Sequence, residues 1–350
     1  MRLTFSEIKN KIGKIVPEGL DYDVDLEAGS ISIITREPAS FGGAGGQSLT
    51  VKIAKAIRRR VVIRPHPELL SSETEVNDAV SRIMPSEAQI RRIWLDPALS
   101  EVTIEADDPK SAVGQKGTNI QQLRNEIGWL VNVVRAPARE SRTQTDIRRF
   151  RKELADERKT LLRKFGTRIY RPQRPGPSWA RVTALGSYRE VGRAMHLVTT
   201  NESKVLVDCG AKPTNNRSEV QPFFAAPEML PLDNIDAVVI THAHVDHIGM
   251  LPVLFRYGYK GPVYCTQPTR DLMTLLQMDY IKVAQAEGNE APYSKSDIQE
   301  CIKHVVDVNW GEKTDIAPDI KMTMENAGHI LGSSSVYTVS YTHLTLPTKA

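Results

Sequence analysis

Six consecutive positions, His242-Ala243-His244-Val245-Asp246-His247, hold three imidazoles and a carboxylate. They follow Ile235-Asp236-Ala237-Val238-Val239-Ile240, a run with the character of a buried strand. Neutral imidazole and carboxylate are the usual donors to zinc in a catalytic setting, where one coordination position stays open to water. On an extended or tightly turning segment His242 and His244 point the same way, because side chains alternate with a period of two. They can grip one ion together. Asp246 and His247 lie just beyond and can turn toward a second position, and two ions roughly 3.5 to 4 Å apart form the clamp used on phosphodiesters. The plainer reading, surface histidines on a strand-to-helix loop, suits a lone histidine better than a cluster this dense.

His-x-His-x-Asp-His behind a hydrophobic strand resembles the signature of the metallo-β-lactamase superfamily. The resemblance implies an αββα sandwich with metals at one edge. Asp208, closing the strand-like Lys204-Val205-Leu206-Val207-Asp208-Cys209-Gly210, resembles the family's first-motif aspartate, which orients a ligand histidine without touching the metal. His329, within Asn326-Ala327-Gly328-His329-Ile330-Leu331-Gly332-Ser333, resembles the third-motif histidine that completes the first zinc. By this resemblance His242, His244, Asp246, His247 and His329 are the metal ligands. Asp246 and Asp208 are the catalytic carboxylates, and two zinc ions are the cofactor of the intact protein.

The elements ahead of this cluster recur. Ser6 reads as the cap of a helix carrying Ile8, Ile12, Ile15 and Val16. Strands Tyr22 to Leu26 and Ile31 to Thr35, a helix over Ser48 to Arg59 and a strand over Arg60 to Arg64 follow. The same order returns as helix Glu73 to Ile83, strands Ile90 to Leu95 and Val102 to Ala106, helix Thr118 to Ile127 and strand Trp129 to Val134. Two copies of one small module are expected. In the second copy Gly114-Gln115-Lys116-Gly117 forms a Gly-x-x-Gly turn between two short helices. Its glycines let backbone approach phosphates, and Lys116 supplies charge at the tip. With Ala-Val before it and Asn-Ile-x-x-Leu-x-x-Glu-Ile-Gly-Trp after it, the segment resembles a KH domain of the prokaryotic topology, which implies single-stranded RNA as ligand of Gly114, Gln115, Lys116 and Gly117. The corresponding loop of the first copy, Gly42 to Gly46, has no lysine and no evident helical turn before it, so that copy reads as a degenerate KH-like domain.

Between Ser141 and Pro175 stand twelve Lys or Arg against four Asp or Glu, while the whole chain carries a formal +4. A phosphate-binding surface and a solvated helix laced with ion pairs both fit that segment. Arg142 to Phe165 reads as one helix capped by Gly166, and Arg171 to Pro177 as a stiff linker. The expected organisation is 1–68 degenerate KH-like, 69–138 KH with its Gly-x-x-Gly loop, 139–178 basic helix and linker, and 179–338 the metallo-β-lactamase domain. Residues 339–350 read as a non-native tail. Arg181 to Arg193 resembles the opening strand and loop of β-CASP nucleases.

Composition is that of an ordinary globular protein, 40% hydrophobic and 25% charged. No apolar run approaches the roughly 20 residues of a membrane span, and no secretory leader opens the chain, so a cytoplasmic protein is expected. Cys209, Cys265 and Cys301 are too few and too widely spaced for a disulfide framework or a zinc knot, and read as packing residues.

Two KH-like modules ahead of a metallo-β-lactamase domain resemble the archaeal homologues of the cleavage and polyadenylation specificity factor endonuclease. That family implies a zinc-dependent β-CASP ribonuclease cutting single-stranded RNA near transcript 3′ ends in 3′-end processing and transcription termination. It implies RNA polymerase as a partner, 5′-3′ exonuclease activity beside the endonuclease, and a homodimer in the intact member. The family pattern also has a metal-bridging aspartate, an inserted domain and a late histidine, which this sequence lacks. The 350-residue chain is therefore expected to be weakly active or inactive. The rival expectation is a non-catalytic RNA-binding factor with a vestigial metal domain.

Overall fold

Thr4 opens the first helix. Its hydroxyl accepts from the Glu7 backbone N–H, and the Glu7 carboxylate accepts from the Thr4 N–H at 2.7 Å. This reciprocal cap starts α1 (Phe5–Gly13) ahead of the expected Ser6 cap, because only Thr4 has a glutamate three positions on. The computed structural model describes residues 3–42, 48–172, 179–212 and 220–340. The chain forms two compact units, Met1–Arg163 and Lys164–Ala350.

In the first unit β1 (Tyr22–Glu27) and β2 (Ser30–Thr35) pair antiparallel. After α2 (Pro38–Phe41) and α3 (Leu49–Ile57), β3 (Val61–Pro65) lies parallel to β2. The order repeats as α4 (Glu73–Ile83), β4 (Ile90–Asp96), β5 (Glu101–Ala106), α5 (Pro109–Val113), α6 (Thr118–Ile127) and β6 (Leu130–Arg135). Again the first pair is antiparallel and the last strand parallel to the middle one. The duplication thus extends from element order to strand pairing. The first copy does have a helical turn before its glycines, contrary to expectation. Pro38 opens α2 as Pro109 opens α5, each with φ already fixed for a first helical position. Gly42 ends α2, and Gly43 to Gly46 lie outside the described residues.

The second copy buries Val76, Val80, Leu123 and Ile127 from its helices against Val102, Ile104 and Val131 from its sheet. Each such side chain contributes roughly 1.5–3 kcal/mol by leaving water. Arg64 on β3 ties the copies together. Its guanidinium donates to both carboxylate oxygens of Glu27, to Glu101 and to the Leu99 carbonyl, and the side chain is only 9% exposed.

The basic segment forms two helices, α7 (Arg142–Glu153) and α8 (Ala155–Ile169), broken at Leu154. The break turns Arg151 and Arg158, one from each helix, onto Asp96. Gly166 lies inside α8 and does not cap it, because the apolar stripe Leu162, Phe165, Ile169 continues past it, buried throughout. Arg148 pairs with Glu105, Lys152 with Glu73 and Arg163 with Asp25. In the second unit Arg168 and Arg171 converge on buried Asp236. Much of the basic charge therefore satisfies carboxylates within the fold. Residues 173–178 of the linker lie outside the described residues.

The second unit contains a six-stranded sheet in the order β12-β11-β10-β9-β8-β7. Its strands are β7 (Ala180–Gly186), β8 (Met195–Thr200), β9 (Lys204–Val207), β10 (Ala237–Val239), β11 (Val263–Cys265) and β12 (Val305–Asp307). β7 to β9 pair antiparallel and β9 to β12 parallel. A second, antiparallel sheet holds β13 (Thr314–Ala317), β14 (Ile320–Asn326) and β15 (Ser334–Ser340). Val205, Val239 and Tyr264 from the first sheet pack with Ile316, Met322 and Met324 from the second. Leu206 and Val238, pointing the other way by alternation, are also fully buried. Both faces of the large sheet are thus covered, as parallel strands require. The outer cover includes α9 (Val245–Ile248), α10 (Leu251–Arg256), α11 (Gln267–Ala286) and α12 (Lys295–His304), with Gln277 of α11 donating to the Ile248 carbonyl. These are three layers, α/β/β, of the expected αββα sandwich, and its fourth, helical layer is not among the described residues. Val339 and Ser340, expected to lie outside the fold, extend β15 by pairing with Lys321 and Ile320. Residues 341–350, including His343, lie outside the described residues. Cys209, Cys265 and Cys301 are all buried. No helix among the described residues is long and apolar enough to cross a membrane.

Candidate metal centre and nucleic-acid loop

β9 and β10 are parallel neighbours, and the chain leaves the carboxyl end of each with a polar residue, Asp208 after one and Thr241 after the other. Such strand ends are where open α/β sheets assemble their sites. Asp208 has φ 59°, a left-handed conformation uncommon outside glycine, and is 4% exposed. Two residues on, Gly210 passes so close to the motif that a Cβ there would lie 1.5 Å from the Asp246 carbonyl oxygen. Cys209 N–H donates to the His247 carbonyl and Ala194 N–H to that of Asp246.

The three histidines expected at the first ion come together. His242 and His244 ring centres are 5.0 Å apart, His242 and His329 5.0 Å, and His244 and His329 4.8 Å. One nitrogen from each lies within 4.8 Å of the others. His244 Nδ1 and His329 Nε2 are 3.2 Å apart. Zinc–nitrogen bonds of about 2.0–2.1 Å set ligand nitrogens of one tetrahedral ion about 3.4 Å apart, so the cluster needs only small side-chain adjustment. Three imidazoles with one direction open suit a catalytic zinc, and soft-metal donors are missing from the set.

His329 arrives from the second sheet on the loop between β14 and β15. Ser334 N–H donates to the Thr241 carbonyl at 2.8 Å, joining that loop to the motif. Ser333 Oγ accepts from His329 N–H, and the Thr266 and Thr269 hydroxyls donate to the Gly332 carbonyl. Sequence spacing carried no sign of the Thr266 and Thr269 hydroxyls, since Gly332 is more than sixty residues away.

Asp246 and His247 stand beside the trio. His247 Nε2 is 3.5 Å from Asp246 Oδ2, and the His247 ring centre is 4.0 Å from that of His242. His247 Nδ1 donates to Asp208 Oδ2 at 2.8 Å. Asp208 therefore holds a histidine without joining the cluster. Burial opposes charge on His247, but the hydrogen bond and charge of Asp208, helped by Asp246, raise its pKa above the ordinary value. His242 is pushed down to about 4, first by burial and then by neighbouring His247, against the pull of Asp208. A neutral His242 is the form that ligates.

Far along the chain, Gly114 (φ 75°) and Gly117 (φ 81°) bracket exposed Gln115 and Lys116, with Lys116 itself at φ 52°. A Cβ on Gly114 would meet the Asn119 side chain at 2.7 Å, and that side chain donates to the Ser111 carbonyl, pinning the turn. The first N–H groups of α6 have no side-chain cap and open toward this turn.

The profile of the metallo-β-lactamase superfamily domain matches residues 197–345, and that of the KH domain of transcription termination factor FttA matches residues 2–70. FttA of Methanosarcina mazei is 42% identical over 97% of this chain and 52% of its own length. FttA of Methanococcus maripaludis is 42% identical over 95% of this chain and 53% of its own, and that of Thermococcus kodakarensis 41% over 95% and 52%. The chain is homologous to the FttA proteins. It spans about half the length of these FttA relatives. The FttA KH match falls on the first module, the one lacking a Gly-x-x-Gly lysine, which is thus a KH domain in its own right. Among solved structures, Rm3 metallo-beta-lactamase aligns with 50% of this chain and 59% of its own at 19% identity and a TM-score of 0.31.

Proposed function

We propose that the chain belongs to a zinc-dependent ribonuclease that grips single-stranded RNA through its KH modules and cuts it near transcript 3′ ends during transcription termination. The observation that carries this reading is the convergence of His242, His244 and His329 beside Asp246, His247 and the buried Asp208. Relatives named as termination factors along nearly the whole chain support the setting. Zinc in such a site supplies a nucleophile at neutral pH and stabilises charge on the phosphate. His242, His244 and His329 would hold the first ion, with Asp246 and His247 turned toward a second. Asp246, a half-buried carboxylate beside the trio, would accept a proton from the attacking water and orient it, while Asp208 keeps the His247 ring in place. Gln115 and Lys116 would meet phosphates at the Gly-x-x-Gly turn, adding affinity and no chemistry. RNA polymerase and a second copy of the chain are the expected partners of the full-length protein.

One observation favours the non-catalytic reading for this chain by itself. The second position has only Asp246 and His247 among the described residues, too few for a firmly held ion. The test is zinc content together with cleavage of a uridine-rich single-stranded RNA. We expect one tightly held zinc per chain, lost in His244→Ala, and feeble cleavage. A chain that binds RNA but no zinc would overturn the nuclease reading, and robust zinc-dependent cleavage would overturn the account of an incomplete second position.

A further inference from the structure

Thr241 sits between Asp208 and His242, and its hydroxyl has one proton to give. Thr241 N–H donates to Asp208 Oδ1 at 2.8 Å. Thr241 Oγ1 lies 2.8 Å from Asp208 Oδ2, 3.1 Å from Asp208 Oδ1 and 2.9 Å from His242 Nδ1. Asp208 also accepts from His247 Nδ1. An ionised carboxylate only accepts, so the hydroxyl proton must point at Asp208. Were it turned to His242 instead, oxygen lone pairs of Thr241 and Asp208 would face each other at 2.8 Å, beside a carboxylate that is only 4% exposed. The Thr241 oxygen is left to accept, and the donor that the described residues bring to it is His242 Nδ1–H.

We propose that Thr241 is a positioning residue that locks His242 in its Nδ1–H tautomer and so commits Nε2 to the metal. Asp208 then governs two imidazoles at once, His247 by direct contact and His242 through the threonine hydroxyl. In both, the Nδ1 proton goes to an oxygen, and Nε2 is the nitrogen left for a metal. His244 has no such hydroxyl partner among the described residues and offers Nδ1 toward His329. The inference rests on the reading of the histidines as a zinc site, but its first consequence does not need zinc.

The test uses the full 350-residue chain. Nitrogen-15 NMR of the zinc-free protein at pH 8 reads the tautomer of each histidine. His242 should appear as Nδ1–H, and should shift toward the common Nε2–H form in Thr241→Val, which keeps the side-chain shape and loses the hydroxyl. Thr241→Ser should restore Nδ1–H. Zinc affinity, by competition with a metallochromic chelator, should fall roughly ten- to a hundredfold in Thr241→Val and recover in Thr241→Ser. A wild-type His242 in the Nε2–H form would overturn the proposal without any variant, as would equal zinc affinity in wild type and Thr241→Val. If wild type shows the Nδ1–H tautomer but takes up no zinc, the metal reading fails while the tautomer lock stands. Should Thr241→Val not fold, the wild-type spectrum and the serine variant still decide.

Discussion

Gly210 is a residue whose size alone is functional. Its Cα lies against the backbone of Asp246, and any Cβ would collide with that carbonyl and with His247 N–H. Gly210→Ala must push Asp208 and the motif apart. We expect a loss of about 3 kcal/mol or more, read by urea unfolding, because neither partner is a side chain that can swing away. An unchanged midpoint would show that the two segments can separate freely. The hydroxyls around the cluster work on a different basis. Thr241, Ser333, Thr266 and Thr269 add no charge, yet each fixes the direction of a backbone or ring that carries a donor.

Between elements, the tie formed by β1, β3 and β5 is electrostatic. Burial opposes charge on Glu27, but the adjoining Arg64 guanidinium outweighs it and holds the carboxyl below its ordinary value of 4.5. A carboxyl lowered on folding contributes stability that is present above its unfolded pKa and lost as pH falls through the folded one. Stability of the chain should therefore drop progressively below about pH 4.5. Glu27→Gln should be less stable at pH 7 and flatter below pH 4.5. Urea midpoints at pH 7, 5 and 3.5 check this, and parallel curves for both proteins would refute it. The basic helices α7 and α8 show the same economy. Their arginines, with Arg171 beyond them, pair with Asp96, Glu105 and Asp236 within the fold.

At the scale of the molecule, the Gly-x-x-Gly turn lies in one compact unit and the histidine cluster in the other. Affinity for RNA and chemistry on RNA should then separate. Chelation of zinc should abolish whatever cleavage the chain performs and leave RNA affinity within about twofold, whereas Lys116→Glu should weaken RNA binding and reduce its salt slope by about 1. Binding isotherms at several salt concentrations, with and without chelator, distinguish the two. A collapse of RNA affinity on chelation would show that the histidine site, and not the Gly-x-x-Gly turn, provides the main grip.

What the sequence determined by itself was whatever depends on neighbours along the chain. The dense His-x-His-x-Asp-His run, the glycine pair of the Gly-x-x-Gly turn and the repeated order of helices and strands are local patterns, and each is present in the fold. Local signals competed at Ser6 against Thr4 and at Gly166 inside a continuing apolar stripe, while the turn opened by Pro38 and the break at Leu154 went unforeseen. Tertiary structure decided the rest. His329 meets His244 across eighty-five positions, Asp208 meets Thr241 across thirty-three, and the basic segment finds its carboxylates up to one hundred and thirty-eight residues away. No periodicity encodes such meetings. They depend on which strands lie side by side, and that is settled by burying Val205, Val239 and Met322 in one core.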